Sequence, residues 1–212
     1  MSDLQRRAAI CEIGRRLWQR GLLGGCEGNI SVRRDAKTFL CTPSGQSKGH
    51  LKPDDIVVVD AEGTPLNGGQ ASSEIRVHME CYRQRPDCEA VVHAHPPIAT
   101  AFGLAGLDIP DNLLPEAAVV LGSVAMVPFG MPGTEELPAS MRPFLPDHKT
   151  FVLANHGAVS LGKDLYDAYH RMETLERVAT VIMHAHALGT PRPLPDAAFQ
   201  YLLQNALNGR LD

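Results

Sequence analysis

The chain has 212 residues, 44% of them hydrophobic, enough for one full core, and a formal net charge of −4 with both signs interspersed. No basic block or aromatic-basic ladder is present, which argues against nucleic acid and anionic membranes as partners, and no apolar run reaches membrane-spanning length. The N-terminal stretch MSDLQRRAAICEIGRRLWQRG is charged and amphipathic rather than signal-like, so a cytoplasmic location is expected; the five cysteines, odd in number and without C-x-x-C spacing, argue against a disulfide framework or a thiolate zinc site.

Residues 3–20 place Leu4, Ala8, Cys11, Leu17 and Trp18 near one stripe with arginines opposite, which predicts an amphipathic helix stopped by Gly21, Gly24 and Gly25. A glycine turn at Cys26-Glu27-Gly28 leads into a strand through Val32, and Thr38 to Thr42 reads as its hairpin partner. Thr42-Pro43-Ser44-Gly45 is a turn, Ile56 to Asp60 a short strand, and Glu62 to Gly69 a turn region. Ala71-Ser72-Ser73-Glu74 starts a helix, the serines being good caps and Glu74 falling in the first turn, with Ile75, Met79 and Tyr82 following at helical spacing. Val91 to His95 is a buried strand ended by Pro96 and Pro97, and Ile98 to Leu104 a short helix ended by Gly106. Leu113 to Leu121 fits either a helix or a buried strand, while Val124 to Phe129 is a strand. Gly133 to Leu137 opens a helix capped by Thr134, and Phe151 to Gly157 is a second buried strand. Helices from about Asp164 to Ala187 and from about Asp196 to Leu207 complete the chain. Without a strict βαβ alternation, repeat or linker, the pattern predicts one α/β domain over residues 1–212, with a mixed sheet between helices.

Side chains two apart on a strand leave the same face, so His93 and His95 point the same way at a strand's C-terminal lip and form half of a transition-metal site. The same tripeptide at His184-Ala185-His186 lies in a helical pattern, where residues two apart diverge by roughly 200°, and it cannot chelate one ion. His156, which ends another apolar strand with Gly157 behind it to permit close approach or a positive φ, is the natural third ligand. Glu74 is a candidate fourth group at its helix start. Gly28-Asn29, Ser44-Gly45 and Ser72-Ser73 offer hydroxyls, amides and bare N–H groups of the kind that bind phosphate without a cationic patch. The few lysines, Lys37, Lys48, Lys52, Lys149 and Lys163, lie in polar stretches, away from any predicted core strand on which a Schiff-base lysine would be expected.

Taken in order, EGNIS, TPSG, ASSEIRVHMECY, VVHAHPP, PGTEEL, LANHG and METLERVA resemble the class II aldolase and adducin family, typified by L-fuculose-phosphate aldolase, over nearly the whole chain. The resemblance implies a three-layer α/β/α fold with a central mixed, largely antiparallel sheet, and a homotetramer with active sites at subunit interfaces. It implies that His93, His95 and His156 ligate zinc (Mn2+ or Co2+ being other divalent choices), with Glu74 as acid/base and as a resting-state ligand. It assigns Gly28, Asn29, Ser44, Gly45, Ser72 and Ser73 to the substrate phosphate. The implied reaction is reversible retro-aldol cleavage of a ketose 1-phosphate to dihydroxyacetone phosphate and an aldehyde, through a metal-bound enediolate that replaces the Schiff base of other aldolases.

The chain departs from that pattern at the aldehyde end. Where fuculose-phosphate aldolases carry a proton-donating tyrosine before the strand at Val124, this sequence has Leu114-Pro115-Glu116-Ala117, and Tyr201 in the last helix is the one late tyrosine expected to supply a phenol from a neighbouring subunit. On the same ligands the superfamily also runs methylthioribulose-phosphate dehydratase, sugar-acid phosphate decarboxylase and, with the least support here, ribulose-phosphate epimerase chemistry. A non-enzymatic adducin-head module would lack the histidine trio. A cupin would want a glutamate where Pro96 and Pro97 stand, and a metal-dependent barrel hydrolase needs a longer chain.

Overall fold

A computed structural model describes residues 1–207. The alternating apolar runs pair as expected: β1 (Asn29–Arg33) and β2 (Phe39–Cys41) form an antiparallel hairpin, and β3 (Val57–Val59) extends it. On the other side of β1 lies β4 (Ala90–Ala94), then β7 (Gly157–Gly162), β6 (Thr150–Leu153) and β5 (Val124–Val127), giving one seven-stranded sheet in the order β3-β2-β1-β4-β7-β6-β5. Every pairing is antiparallel except β5 with β6 at one edge. The sheet is mixed and largely antiparallel, the arrangement anticipated above.

Both faces are covered. Val92, Ala94, Val152 and Ala158 pack under α1 (Asp3–Gln19), α3 (Pro97–Ala105) and α5 (Leu165–Leu188), through Ile10, Ile13, Leu17, Phe102, Met172 and Leu175 among others. Val91, Phe151, Leu153 and Val159 face the opposite layer, where α2 (Ile75–Gln84) and α4 (Glu136–Met141) contribute Ile75, Val77, Met79, Leu137 and Met141. Because strand residues alternate between faces, His93 follows Val91 onto the α2 side. A last helix, α6 (Asp196–Leu207), packs on the π-helical turn Ala117–Leu121.

Three local expectations are corrected. The buried face of α1 is Ala9, Ile10, Ile13, Gly14 and Leu17, whereas Leu4 and Trp18 are 64% and 42% exposed. The true stripe is rotated because α1 lies along the 48–50 turn, with Gly49 against the Trp18 ring. Of the helix and buried strand left open for residues 113–121, the helix is found, over 115–121 and π-helical from Ala117. The apolar strand expected to run through His156 stops at Leu153, and the chain turns over at Ala154-Asn155-His156, with Asn155 in the left-handed region at φ 57°. It returns as β7, a strand buried at every position and therefore without the two-residue period that would announce it. Finally, Glu74 is the N-cap residue of α2 rather than part of its first turn, and its carboxylate makes no cap hydrogen bond.

Candidate metal centre

The site forms where β4 ends and the β6–β7 turn begins. Antiparallel pairing sets His93 opposite Asn29 on one side and Val159 on the other, which fixes the depth at which its ring enters. His95 lies just past β4, its backbone N–H donating to the Leu22 carbonyl at 3.0 Å, before Pro96 and Pro97 turn the chain into α3. His156 is held by its turn, with its N–H donating to the Leu153 carbonyl at 3.1 Å. Gly157 is needed for close approach and not for a positive φ. A Cβ there would lie 2.6 Å from the Ala94 carbonyl oxygen and 2.8 Å from His95 Cδ2, so only glycine lets the imidazoles close on one another.

One nitrogen from each of His93, His95 and His156 lies within 4.8 Å of the others. His93 and His95 Nε2 are 3.2 Å apart. Two nitrogens bound to one tetrahedral ion at about 2.0–2.1 Å would stand about 3.3 Å apart. His93 Nδ1 donates to the Ala158 carbonyl at 2.9 Å, which makes Nε2 the nitrogen that faces the centre. Burial, and then the neighbouring His93 and His156, push His95 down to about 4, so it stands uncharged at neutral pH, the form a metal ligand requires. The donor set and its spacing fit a divalent transition metal.

Glu74 reaches the same point from α2. Its Oε2 lies 3.1 Å from His93 Nε2 and accepts from Asn29 Nδ2 at 3.2 Å, while Oε1 lies 3.2 Å from His156 Nε2. Burial by itself would raise this carboxyl, yet the His156 and His93 ring nitrogens hold it well below the usual carboxylate range. The reading of Glu74 as a dipole-complementing first-turn acid gives way to one in which the helix start presents it to the histidines.

The three small-polar stretches adjoin segments that lead to this centre, and one of them touches it through Asn29. Ser44 N–H donates to the Gln70 carbonyl at 2.9 Å, Pro43 pairs with Ala71, and Asn29 touches Glu74. Gly28 holds φ +66°, with His93 O at 2.7 Å from where a Cβ would stand, so Asn29 is delivered to the site by a turn that admits no side chain. Ser72 is buried with its hydroxyl accepting from Glu74 N–H at 3.3 Å, Asn29 Oδ1 is buried without a partner, and Gly45 and Ser73 are exposed. The other candidates stay apart: His184 and His186 are exposed on α5, Tyr201 is 62% exposed on α6, and Glu116 borders a depression with Arg20, Glu173 and Arg177 that contains none of the three histidines.

Three side chains near the centre were not singled out from the sequence. Glu27 Oε2 lies 3.9 Å from His95 Nδ1. His78, one helical turn beyond Glu74, is buried; its Nδ1 lies 2.7 Å from Ser31 Oγ, which is 2.8 Å from Tyr82 OH, so Glu74, His78 and Tyr82 form an i, i+4, i+8 polar seam against β1. That spacing was readable in the sequence once residue 74 mattered. Lys48, grouped above with lysines of polar stretches, is 3% exposed.

The model of the class II aldolase and adducin N-terminal domain matches residues 8–183. The 3-oxo-tetronate 4-phosphate decarboxylase of Haemophilus influenzae is 36% identical over 184 residues, covering 84% of this chain and 87% of the relative. The L-fuculose phosphate aldolase of Methanocaldococcus jannaschii is also 36% identical, over 181 residues, covering 85% and 96%. Among solved structures, YgbL from Escherichia coli, whose description leaves its reaction open among aldolase, epimerase and decarboxylase, superposes with a TM-score of 0.88 at 32% identity over 95% of this chain and 99% of its own.

Proposed function

Because the chain belongs to the class II aldolase and adducin family, we propose that it is a zinc-dependent enzyme that breaks the carbon–carbon bond one carbon removed from the ketone of a phosphorylated sugar or sugar acid. The observation that carries this reading is the convergence of His93, His95 and His156 on one point, with the Glu74 carboxylate beside it. An ion held there supplies an electron sink for the negative charge left beside the carbonyl when the bond breaks. Glu74, oriented by Asn29, moves the proton to and from the carbon that carries that charge. Gly28, Asn29, Ser44, Gly45, Ser72 and Ser73 hold the phosphate, and contacts so far from the reacting bond fix the substrate's orientation. The whole chain acts as one domain, in the cytoplasm, and assembles as a homotetramer.

Two leaving fragments suit this machinery. A 3-oxo acid releases carbon dioxide from its carboxylate, after which one proton is delivered to carbon, and Glu74 suffices for that. Retro-aldol release of an aldehyde from a ketose 1-phosphate also requires a proton to leave the hydroxyl that becomes the aldehyde oxygen. The tyrosine that aldolases carry for this is replaced by the Leu114-Pro115-Glu116 stretch, and Glu116 borders a different depression. The side chains that one copy brings together therefore favour decarboxylation. Aldol cleavage is the second reading, favoured by the exposed position of Tyr201, which leaves its phenol free to serve a neighbouring copy. The test is to give the zinc-loaded protein 3-oxo-tetronate 4-phosphate and, separately, dihydroxyacetone phosphate with simple aldehydes. Carbon dioxide release is the expected outcome; consumption of dihydroxyacetone phosphate without it selects the aldolase, and inertness to both at full metal content ends the proposal.

A further inference from the structure

Lys48 is an ammonium group buried where the functional reading uses no cation. Its backbone is pinned to α1, since a Cβ on Gly14 would stand 2.4 Å from the Lys48 carbonyl oxygen and 3.3 Å from its Cβ. The side chain runs inward from there, and Nζ donates to the Cys26 carbonyl, the single partner found for it among the described residues. Root and tip thus place the amine between two turns: it lies four residues after Ser44 and ties to the chain two residues before Gly28. Both turns belong to the proposed phosphate cradle.

A buried cation facing one neutral carbonyl is electrostatically incomplete, because a charged group needs an opposite charge to offset lost hydration. The carboxylates within its reach are Glu74 and Glu27, and both have other duties, one at the histidine centre and the other at Gly24 N–H and His95. Burial lowers the Lys48 pKa while these carboxylates oppose the shift. Two carboxylates close to Lys48 would repel a phosphate dianion brought beside them unless a cation stands between.

We infer that Lys48 is the cationic member of the phosphate subsite, and that its two remaining N–H donors pair with the phosphate oxygens of the substrate. This rests on the phosphorylated-substrate reading above and adds to it a residue that sets the preference for a dianionic group.

Inorganic phosphate titrated into the zinc-loaded full-length protein is the probe. Lys48→Met should weaken its binding roughly tenfold to hundredfold, the scale of a charge-assisted hydrogen bond, at unchanged zinc content, while Lys48→Arg retains most of it. A measurement free of folding defects uses the unsubstituted protein labelled at lysine ε-carbons, where saturation with phosphate should move the Lys48 resonance. An unmoved Lys48 resonance in a protein that does bind phosphate would overturn the inference alone, by placing the anion at the metal or elsewhere, as would equal binding by folded Lys48→Met. If the unsubstituted protein neither binds phosphate nor turns over either phosphorylated substrate, the reading beneath it falls as well.

Discussion

His93 and His156 reach the centre with different degrees of support, and that difference decides which is the informative one to remove. His93 is 2% exposed and tied through Nδ1 to Ala158, so its loss leaves an unpaired carbonyl inside the sheet. His156 sits in a turn with its Nδ1 buried and unpartnered, so truncating it removes a ligand and disturbs little else. His156→Ala should therefore purify folded, with metal falling from about one ion per chain toward none and activity falling with it, while His184→Ala should alter neither. Elemental analysis after dialysis reads the first effect, and full occupancy in the His156 variant would remove the ligand assignment. At this scale the sequence was most informative where a local period controls direction: two residues along a strand put His93 and His95 on one side, and the same spacing on α5 kept His184 and His186 out. It was silent on Lys48, because what buries that lysine is the packing of the 48–50 turn on Gly14, a contact between segments over thirty residues apart.

Elements transmit the site's geometry through their ends. The start of α3 follows His95 by two residues, and its proline-led first turn leaves the Ile98 and Ala99 amides without helical partners. Glu176 of α5 supplies them, its carboxylate accepting from Ile98 N–H at 3.0 Å and Ala99 N–H at 2.9 Å. Glu176→Ala should cost about 1–2 kcal/mol, as loss of a capping group does, read as a lower denaturant midpoint at unchanged slope. An unchanged midpoint would show that water replaces the carboxylate without cost. Helix α3 was legible because Pro96 and Pro97 mark its start and Gly106 its stop. The stripe on α1 was not, because Leu4 stands exposed and Trp18 lies half-exposed at the flank against the 48–50 turn, and together they rotate the apparent face. Strand β7 escaped for the opposite reason: a strand buried on both sides carries no alternation to read.

For the molecule as a whole, the sheet between two helical layers and the centre at the tip of β4 followed from the order of motifs along the chain, whereas assembly leaves no comparable mark in composition. What the surface does show is large apolar side chains left outside the core: Leu104, Leu107, Phe129, Met131, Tyr166, Met183 and Tyr201 are each at least 38% exposed. Side chains of this kind collect where copies of a chain meet. If copies meet so that Tyr201 of one reaches the histidine centre of another, the two candidate reactions should depend on assembly differently. Aldehyde release would need the foreign phenol, so Tyr201→Phe should suppress it by about a hundredfold, the usual scale of a general acid or base, and dilution below the assembly's dissociation constant should do the same. Carbon dioxide release would need only groups within one copy, and it should survive both treatments as long as metal stays bound. Sedimentation velocity paired with both assays over a concentration series makes the comparison; decarboxylation that vanishes on dissociation at full metal content would mean that one copy's histidines, Glu74 and phosphate cradle do not make a complete active site.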